Sequence, residues 1–421
     1  MNPSTTQIDS SKSPVVNKTE RLVSLDQFRG YTVLGMLLVN YFGHHSVCPQ
    51  ILKHSHDYCS YADTIMPQFL FAVGFAMRLS FGRRLNEQGK LVAYARMVRR
   101  LLGLALVSMV VYNVGPRAAN WAQLQELGLW QALYAPLKRD WFQTLMHIAA
   151  TSLWILPVVH SKPSIRIGWM LGAAILHVWV SYLFNFAWVN SDPRGIDGGP
   201  LGFLTWSIPA LVGTLACDAF LKPRSALQIG SPILVRVLVS SLLLMLLGYS
   251  ISCGTRFYDV QDSQVETLKK DSISVDPVVP SLERINAKIA SVNEKGITVW
   301  FAEPPFVKPP QKEFRKWNYW MMSQRSGTLS YLVFSAGFSL LVFLVFFVVS
   351  DLFQLQLPIF RTFGTNALMA YVLHLMISNA VQPFFPKDSP VWFSLIGLGI
   401  FLFVTWLFVR TMEKQGVFVR I

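Results

Sequence analysis

The chain has 421 residues, is 52% hydrophobic and only 14% charged, and carries a net charge of +14. Soluble domains average about 25% charged residues, so the missing charge points to a bilayer. The positive excess then fits basic loops near anionic lipid rather than nucleic acid, for which no recognition helix or zinc motif is present.

Residues 1–20 are polar and aperiodic, without the apolar core of a signal peptide, and read as a disordered cytoplasmic tail. Ten stretches then approach the length of about 20 apolar residues that a spanning helix needs. They are 29–47, 63–82, 99–115, 141–159, 167–188, 203–221, 233–253, 328–350, 363–382 and 391–410. The expected fold is an all-α polytopic membrane protein of about ten transmembrane helices with a small α/β extracytoplasmic insertion. Spans one to seven fill 21–253, with a loop at 43–62. The insertion is 254–327, and spans eight to ten fill 328–421.

Lys and Arg in short loops set the orientation. The loop at 83–100 holds Arg83, Arg84, Lys90, Arg96, Arg99 and Arg100. This side is expected to face the cytoplasm, with both termini, in the inner cell membrane. The loop at 116–140 reads as an amphipathic surface helix anchored by Trp121 and Trp130. Within the insertion, Ser281–Ala290 reads as a helix. Lys288–Val292 and Ile297–Phe301 flank Asn-Glu-Lys-Gly and read as a hairpin, followed by an extended return through Pro304, Pro305, Pro309 and Pro310.

The stretch NYFGHHSVCPQILKHSHDYCSYAD, Asn40 to Asp63, holds His44, His45, His54 and His56 between two apolar spans. An imidazole there can take a proton from an amine or hydroxyl near pH 7, or be an ordinary loop residue. Asp63 opens the second span. It is either a first-turn helix charge or the carboxylate that orients an imidazole. Asn40 either bonds a neighbouring helix or holds a reacting group. Cys48 and Cys59 fall on the expected outer side, where they would pair as a disulfide. The histidine spacing gives little support for a metal, and none is expected.

Asp26 and Arg29 share a helix face three residues apart. They form either a structural ion pair or an anchor for an anionic ligand. His147, His177, Asn366 and His374 are most simply helix–helix hydrogen bonders. No Walker A, GxGxxG or GxSxG motif occurs.

Together, RLVSLDQFRGYTVLGMLLVNYFG and KHSHDYCSYADTIMPQFLFAVGFAMRLS resemble the membrane acetyltransferases typified by heparan-α-glucosaminide N-acetyltransferase. That family shows SLDxxRG, then VNxxG, a His-Ala-x-Trp segment and Asp-x-x-x-Pro-x-Phe-x-Phe-x-x-Gly. Asp63, Pro67, Phe69, Phe71 and Gly74 match the last of these. Looser matches are QTLMHIAATSL, SDPRGIDGGPLGFLTW and RTFGTNALMAYVLH, with His147 in place of a family Arg and Arg194 in place of a Glu.

The resemblance implies transfer of an acetyl group from cytoplasmic acetyl-CoA to an amino sugar or glycan on the far side. Asn40 and His54 take the active-site positions beside Asp63, with His56 as the alternative histidine. His54 would act as general base or as transient acetyl carrier. Contacts to the co-substrate would fall at Asp26, Arg29, His147 and Asn366. Bacterial members of the group also carry the label of sugar transporters, which is the alternative function. The expected partners are the lipid bilayer and the acceptor sugar, with a homodimer as one arrangement and no nucleic acid.

Overall fold

The structure, a computed structural model, describes residues 22–222, 226–260, 273–309 and 315–418. The N-terminal tail and Pro310 lie outside the described residues. Fourteen α-helices follow in chain order. They are α1 (Val23–Phe42), α2 (Ile65–Gln88), α3 (Lys90–Val111), α4 (Trp121–Ala135), α5 (Thr144–Ile155), α6 (Pro163–Val180), α7 (Phe186–Asn190), α8 (Phe203–Phe220), α9 (Pro232–Ser252), α10 (Leu282–Lys295), α11 (Leu329–Phe347), α12 (Pro358–Thr365), α13 (Ala367–Val381) and α14 (Val391–Lys414).

Among the described residues, seven helical stretches are long and apolar enough to cross a membrane: Ala62–Gln88, Pro163–Asn190, Gly199–Phe220, Pro232–Tyr258, Leu329–Leu352, Ala367–Phe384 and Val391–Lys414. The other three expected spans are helical without reaching that standard. α1 carries Asp26 and Arg29, α3 carries Lys90, Arg96, Arg99 and Arg100, and α5 has only 12 residues. At about 1.5 Å per residue, α5 reaches only part of the roughly 30 Å of a hydrocarbon core. The outward faces of α6 and α9 are apolar, with Leu171, Ile175 and Trp179 on one and Leu242, Leu243, Leu246 and Leu247 on the other all exposed. Such contiguous apolar surfaces suit hydrocarbon and would be anomalous in water. α4 exposes Trp121 and Trp130 but breaks at Gly128, whose φ of 74° divides the expected surface helix into two short pieces.

Among the described residues two large cores hold the bundle, and a small third cluster of Phe186, Val278 and Tyr319 joins α7 to the insertion. In the first, Phe343 of α11 meets Phe28 at 5.5 Å, Phe75 at 4.9 Å and Phe220 at 5.2 Å between ring centroids. α2 and α8 cross there almost backbone to backbone. A Cβ on Gly74 would collide with the Ala210 carbonyl, and one on Gly213 with the Phe71 carbonyl. Lipid offers helices no hydrophobic drive to associate, so close approach through small residues supplies the contact. The second core joins α1, α13 and α14, with Tyr41 stacked on Phe401 at 4.7 Å.

α1 receives its N-terminal cap from a distant residue. Asp351, just beyond α11, accepts from Val23 N at 3.2 Å and Ser24 N at 3.0 Å, placing a carboxylate on two orphan N–H groups. Asp351→Ala should therefore lower stability by about 1–2 kcal/mol, read as a drop in thermal midpoint in detergent. An unchanged midpoint would mean that the cap contributes nothing.

The insertion differs from its expected form. Among the described residues no strand forms, and only isolated bridges join Asp259 to Arg315 and Ile273 to Trp317. Of the expected hairpin, the second arm is instead a 3-10 turn over Ile297–Trp300, and the first arm is the second half of α10. Ser281 caps that helix by accepting from Arg284 N, and Gly296, at φ 83°, ends it. Ile285, Lys288 and Val292 recur at helical spacing on its inner side, which a strand reading of 288–292 overlooks. Asp259 then ties the insertion together through Arg315 at 2.7 Å, Arg256 at 3.2 Å and Lys288 at 3.4 Å. The expected disulfide is also absent. Cys48 and Cys59 are both free and buried, Cys48 in the α1–α13–α14 core and Cys59 in the α2–α8–α11 core.

Candidate active site

Asp63 organises the loop that joins α1 to α2. It lies in the helical turn Ala62–Thr64 and is 1% exposed. Ser60 gives it both backbone N–H at 3.0 Å and hydroxyl at 2.8 Å, and Ser55 N–H donates at 3.2 Å. Its remaining contact is His54 Nδ1, 2.9 Å from Oδ1. A carboxylate only accepts, so Nδ1 carries a proton, and in the neutral ring Nε2 holds the lone pair, with the Gln324 side chain also in hydrogen-bond reach of the ring. The loop is thus folded so that the chain's own donors fix the carboxylate, and the carboxylate fixes the imidazole.

His54 remains 43% exposed along its side chain, so a reactant can approach the ring. Its proton affinity reflects a contest. The surrounding protein disfavours the charged ring, but the hydrogen bond and charge of Asp63, aided by Asp197 and Gln324, prevail and raise its pKa. His56 is half-buried nearby, but the imidazole held by Asp63 is that of His54.

Asp197 was not among the expected site residues. It lies between α7 and α8 at φ 54°, is 2% exposed, and accepts from Gln324 Nε2 at 3.1 Å. Trp206 Nε1 donates to its carbonyl at 2.7 Å, and Gly198 N–H donates to Arg325 O at 2.9 Å. Burial pushes its carboxyl up to about 7, against the lowering effects of His54 and Gln324. Gln324 comes from the far end of the insertion. The insertion touches the site a second time where Phe306 N–H donates to Cys59 O at 2.8 Å.

A cavity of about 420 Å³ runs through the bundle. Asp26, Arg29 and Arg100 line it toward one end of α1, and Thr144 and Tyr371 line it elsewhere. Between them the walls are apolar, with Phe69, Val73, Met77, Leu101 and Ile148 among them. Arg29 and Arg84 lie close enough to act electrostatically on Arg100. The Tyr371 hydroxyl bonds that of Tyr112, and the charge of Asp197 acts on both. One cavity-lining residue, Tyr371, is therefore bonded to Tyr112, and both feel the charge of Asp197 beside His54 and Asp63.

No family model matches the chain, and no curated protein matches it.

The remaining expected residues divide. Asp26 and Arg29 both line the cavity. Asn40 belongs with the tyrosines: its Nδ2 lies 3.3 Å from His374 Nε2, and His374 Nδ1 contacts the Tyr371 carbonyl. Asn366 sits at the break between α12 and α13 and donates to Val417 O at 3.1 Å, while its neighbours Thr365 and Ala367 line the cavity. His147 is buried against Trp206 and Phe142, and the cavity wall beside it is Leu145 and Ile148. Among the described residues, no three His, Cys, Asp or Glu side chains group as a metal site. The arrangement offers an oriented base, a buried carboxyl that titrates near neutrality, and an arginine-edged apolar channel.

Proposed function

We propose that the protein is a membrane-embedded acetyltransferase that moves an acetyl group from cytoplasmic acetyl-CoA to an amino sugar or glycan on the outer side of the inner membrane. One observation carries the reading: a carboxylate-oriented imidazole and a cavity lined by Arg29 and Arg100 occur in one bundle, linked through Asp197, whose charge acts on His54 and on the cavity-lining Tyr371. The resemblance of SLDQFRG and of Asp63, Pro67, Phe69, Phe71 and Gly74 to the acetyltransferase family supports it.

The co-substrate suits the residues present. Arg29 and Arg100 offer forked donors for phosphate, and the apolar walls suit a flexible thioester arm. The cavity volume falls within the range of about 300–1,000 Å³ usual for ligand sites. In this reading α1, α3 and α5 complete a bundle of about ten crossings, which brings both termini to the cytoplasm.

Asp63 holds the His54 ring through Nδ1, which makes Nε2 the basic nitrogen of the neutral ring. Nε2 takes the proton of the acceptor amine or hydroxyl as it attacks the thioester carbonyl. The same nitrogen is the atom that would carry the acetyl group in a two-step transfer.

The test is an assay in proteoliposomes with labelled acetyl-CoA and glucosamine. Acetylated sugar should form, and His54→Ala should reduce it about 10²- to 10⁴-fold. Asn40→Ala, which detaches His374 from α1, should reduce it as well. Uptake of unmodified sugar without acetylation would overturn the enzyme in favour of a transporter.

A further inference from the structure

We propose that Asp197 is the second acid–base group of the transfer, held beside His54 by Gln324 and poised to protonate the departing sulfur. The inference rests on the acetyltransferase reading above.

The geometry behind it is specific. Asp197 is 2% exposed, and its carboxyl accepts from a neutral amide, Gln324 Nε2 at 3.1 Å. Arg325, next to Gln324 in the chain, turns its guanidinium over the Trp317 ring at 4.8 Å. The ionisable groups around Asp197 come from six elements, one of them His147 of α5, which lies against Trp206 beside the Asp197 backbone. The others are His54 of the loop, Asp63 before α2, Tyr112 at the end of α3, Tyr331 of α11 and Tyr371 of α13. None is a permanent cation. A carboxyl so placed is readily kept protonated, and burial raises it to about 7. Asp197 also acts electrostatically on both the base and the Tyr112–Tyr371 pair, of which Tyr371 lines the cavity. Two titratable groups with opposite protonation at one centre are the usual mark of an acid–base pair.

The step balances. The reactive form of the pair has His54 neutral and Asp197 protonated. The acceptor nitrogen or oxygen bonds the acetyl carbon, and its proton goes to His54 Nε2. The carbon–sulfur bond breaks, and the Asp197 proton goes to sulfur. The adjacent imidazolium and carboxylate then exchange a proton through solvent, which restores the site.

Asp197→Asn tests this with little risk to the fold, since asparagine tolerates φ 54° and the backbone bond from Trp206 remains. With acetyl-CoA, transfer should fall about 10²-fold or more, and the alkaline limb of the rate profile should vanish. With an acetyl aryl thioester, whose thiolate leaves unprotonated, the same variant should lose less than about threefold, because no acid is then required. Gln324→Leu should move the alkaline limb to higher pH, because the amide bond lowers Asp197. Equal losses with both thioesters, or no loss with acetyl-CoA, would overturn the proposal. Activity retained in His54→Ala would instead overturn the reading on which it rests.

Discussion

Replacing Asp63 by asparagine is expected to cut acetyl transfer about 10³- to 10⁴-fold, the scale seen when an orienting carboxylate loses its charge. Asp63 accepts from Ser60 N–H, Ser60 hydroxyl, Ser55 N–H and His54 Nδ1. An amide turns one of those acceptor positions into a donor facing donors. It either expels the imidazole or forces the proton onto Nε2, which then has no lone pair for the acceptor. The pH profile gives an independent sign. The pKa of His54 is raised because Asp63 outweighs burial, so the acid limb of the wild-type rate lies above the ordinary imidazole value. Without the carboxylate, burial prevails and the limb should move to lower pH. A variant with an unmoved limb would show that Asp63 serves the loop rather than the base.

Gly74→Val should destabilise the bundle by about 3 kcal/mol or more, enough to remove much of the 5–15 kcal/mol typical of a folded chain. The added atoms meet the carbonyl and Cα of Ala210, both backbone, so no side-chain rotation relieves the clash. α2 and α8 must separate, and the first core opens around Phe71 and Phe75. Gly172 is the control. It lies in α6, and a Cβ added there would meet nothing within 4 Å, so Gly172→Ala should be neutral or slightly stabilising. Thermal unfolding in detergent of both variants checks this. Equal midpoints would mean that the α2–α8 crossing is not the tight contact described.

How far the sequence led depends on whether local chemistry or distant packing sets each feature. Seven of the ten expected spans were legible because lipid demands long apolar runs, whereas α1, α3 and α5 are helical without reaching that length and apolarity. The loop with His54 and Asp63 was legible because polar groups between two such runs are unusual. What distinguishes His54 from His56 is the bond to Asp63, set by how Ser55 and Ser60 wrap the carboxylate. Spacing alone does not contain that. Asp197 lay in IDGG, where Asp-Gly-Gly signals a left-handed turn but nothing local signals burial. Its partner Gln324 is 127 residues away. The disulfide reading failed for a related reason. Cys48 and Cys59 sit in one loop, but that loop's two ends turn into different cores. In the insertion, Asn-Glu-Lys-Gly resembled a hairpin turn because Gly296 has the same positive φ as a helix terminator. The helical spacing of Ile285, Lys288 and Val292 was the stronger signal.

The most direct test of acetyl transfer through this bundle is a cryo-EM map of the full chain with acetyl-CoA bound in lipid nanodiscs. Density is expected in the α1–α2–α3–α5–α13 cavity, with phosphates at Arg29 and Arg100 and the thioester past Tyr371, within reach of His54 Nε2. Density for acetyl-CoA elsewhere, with this cavity empty, would contradict it.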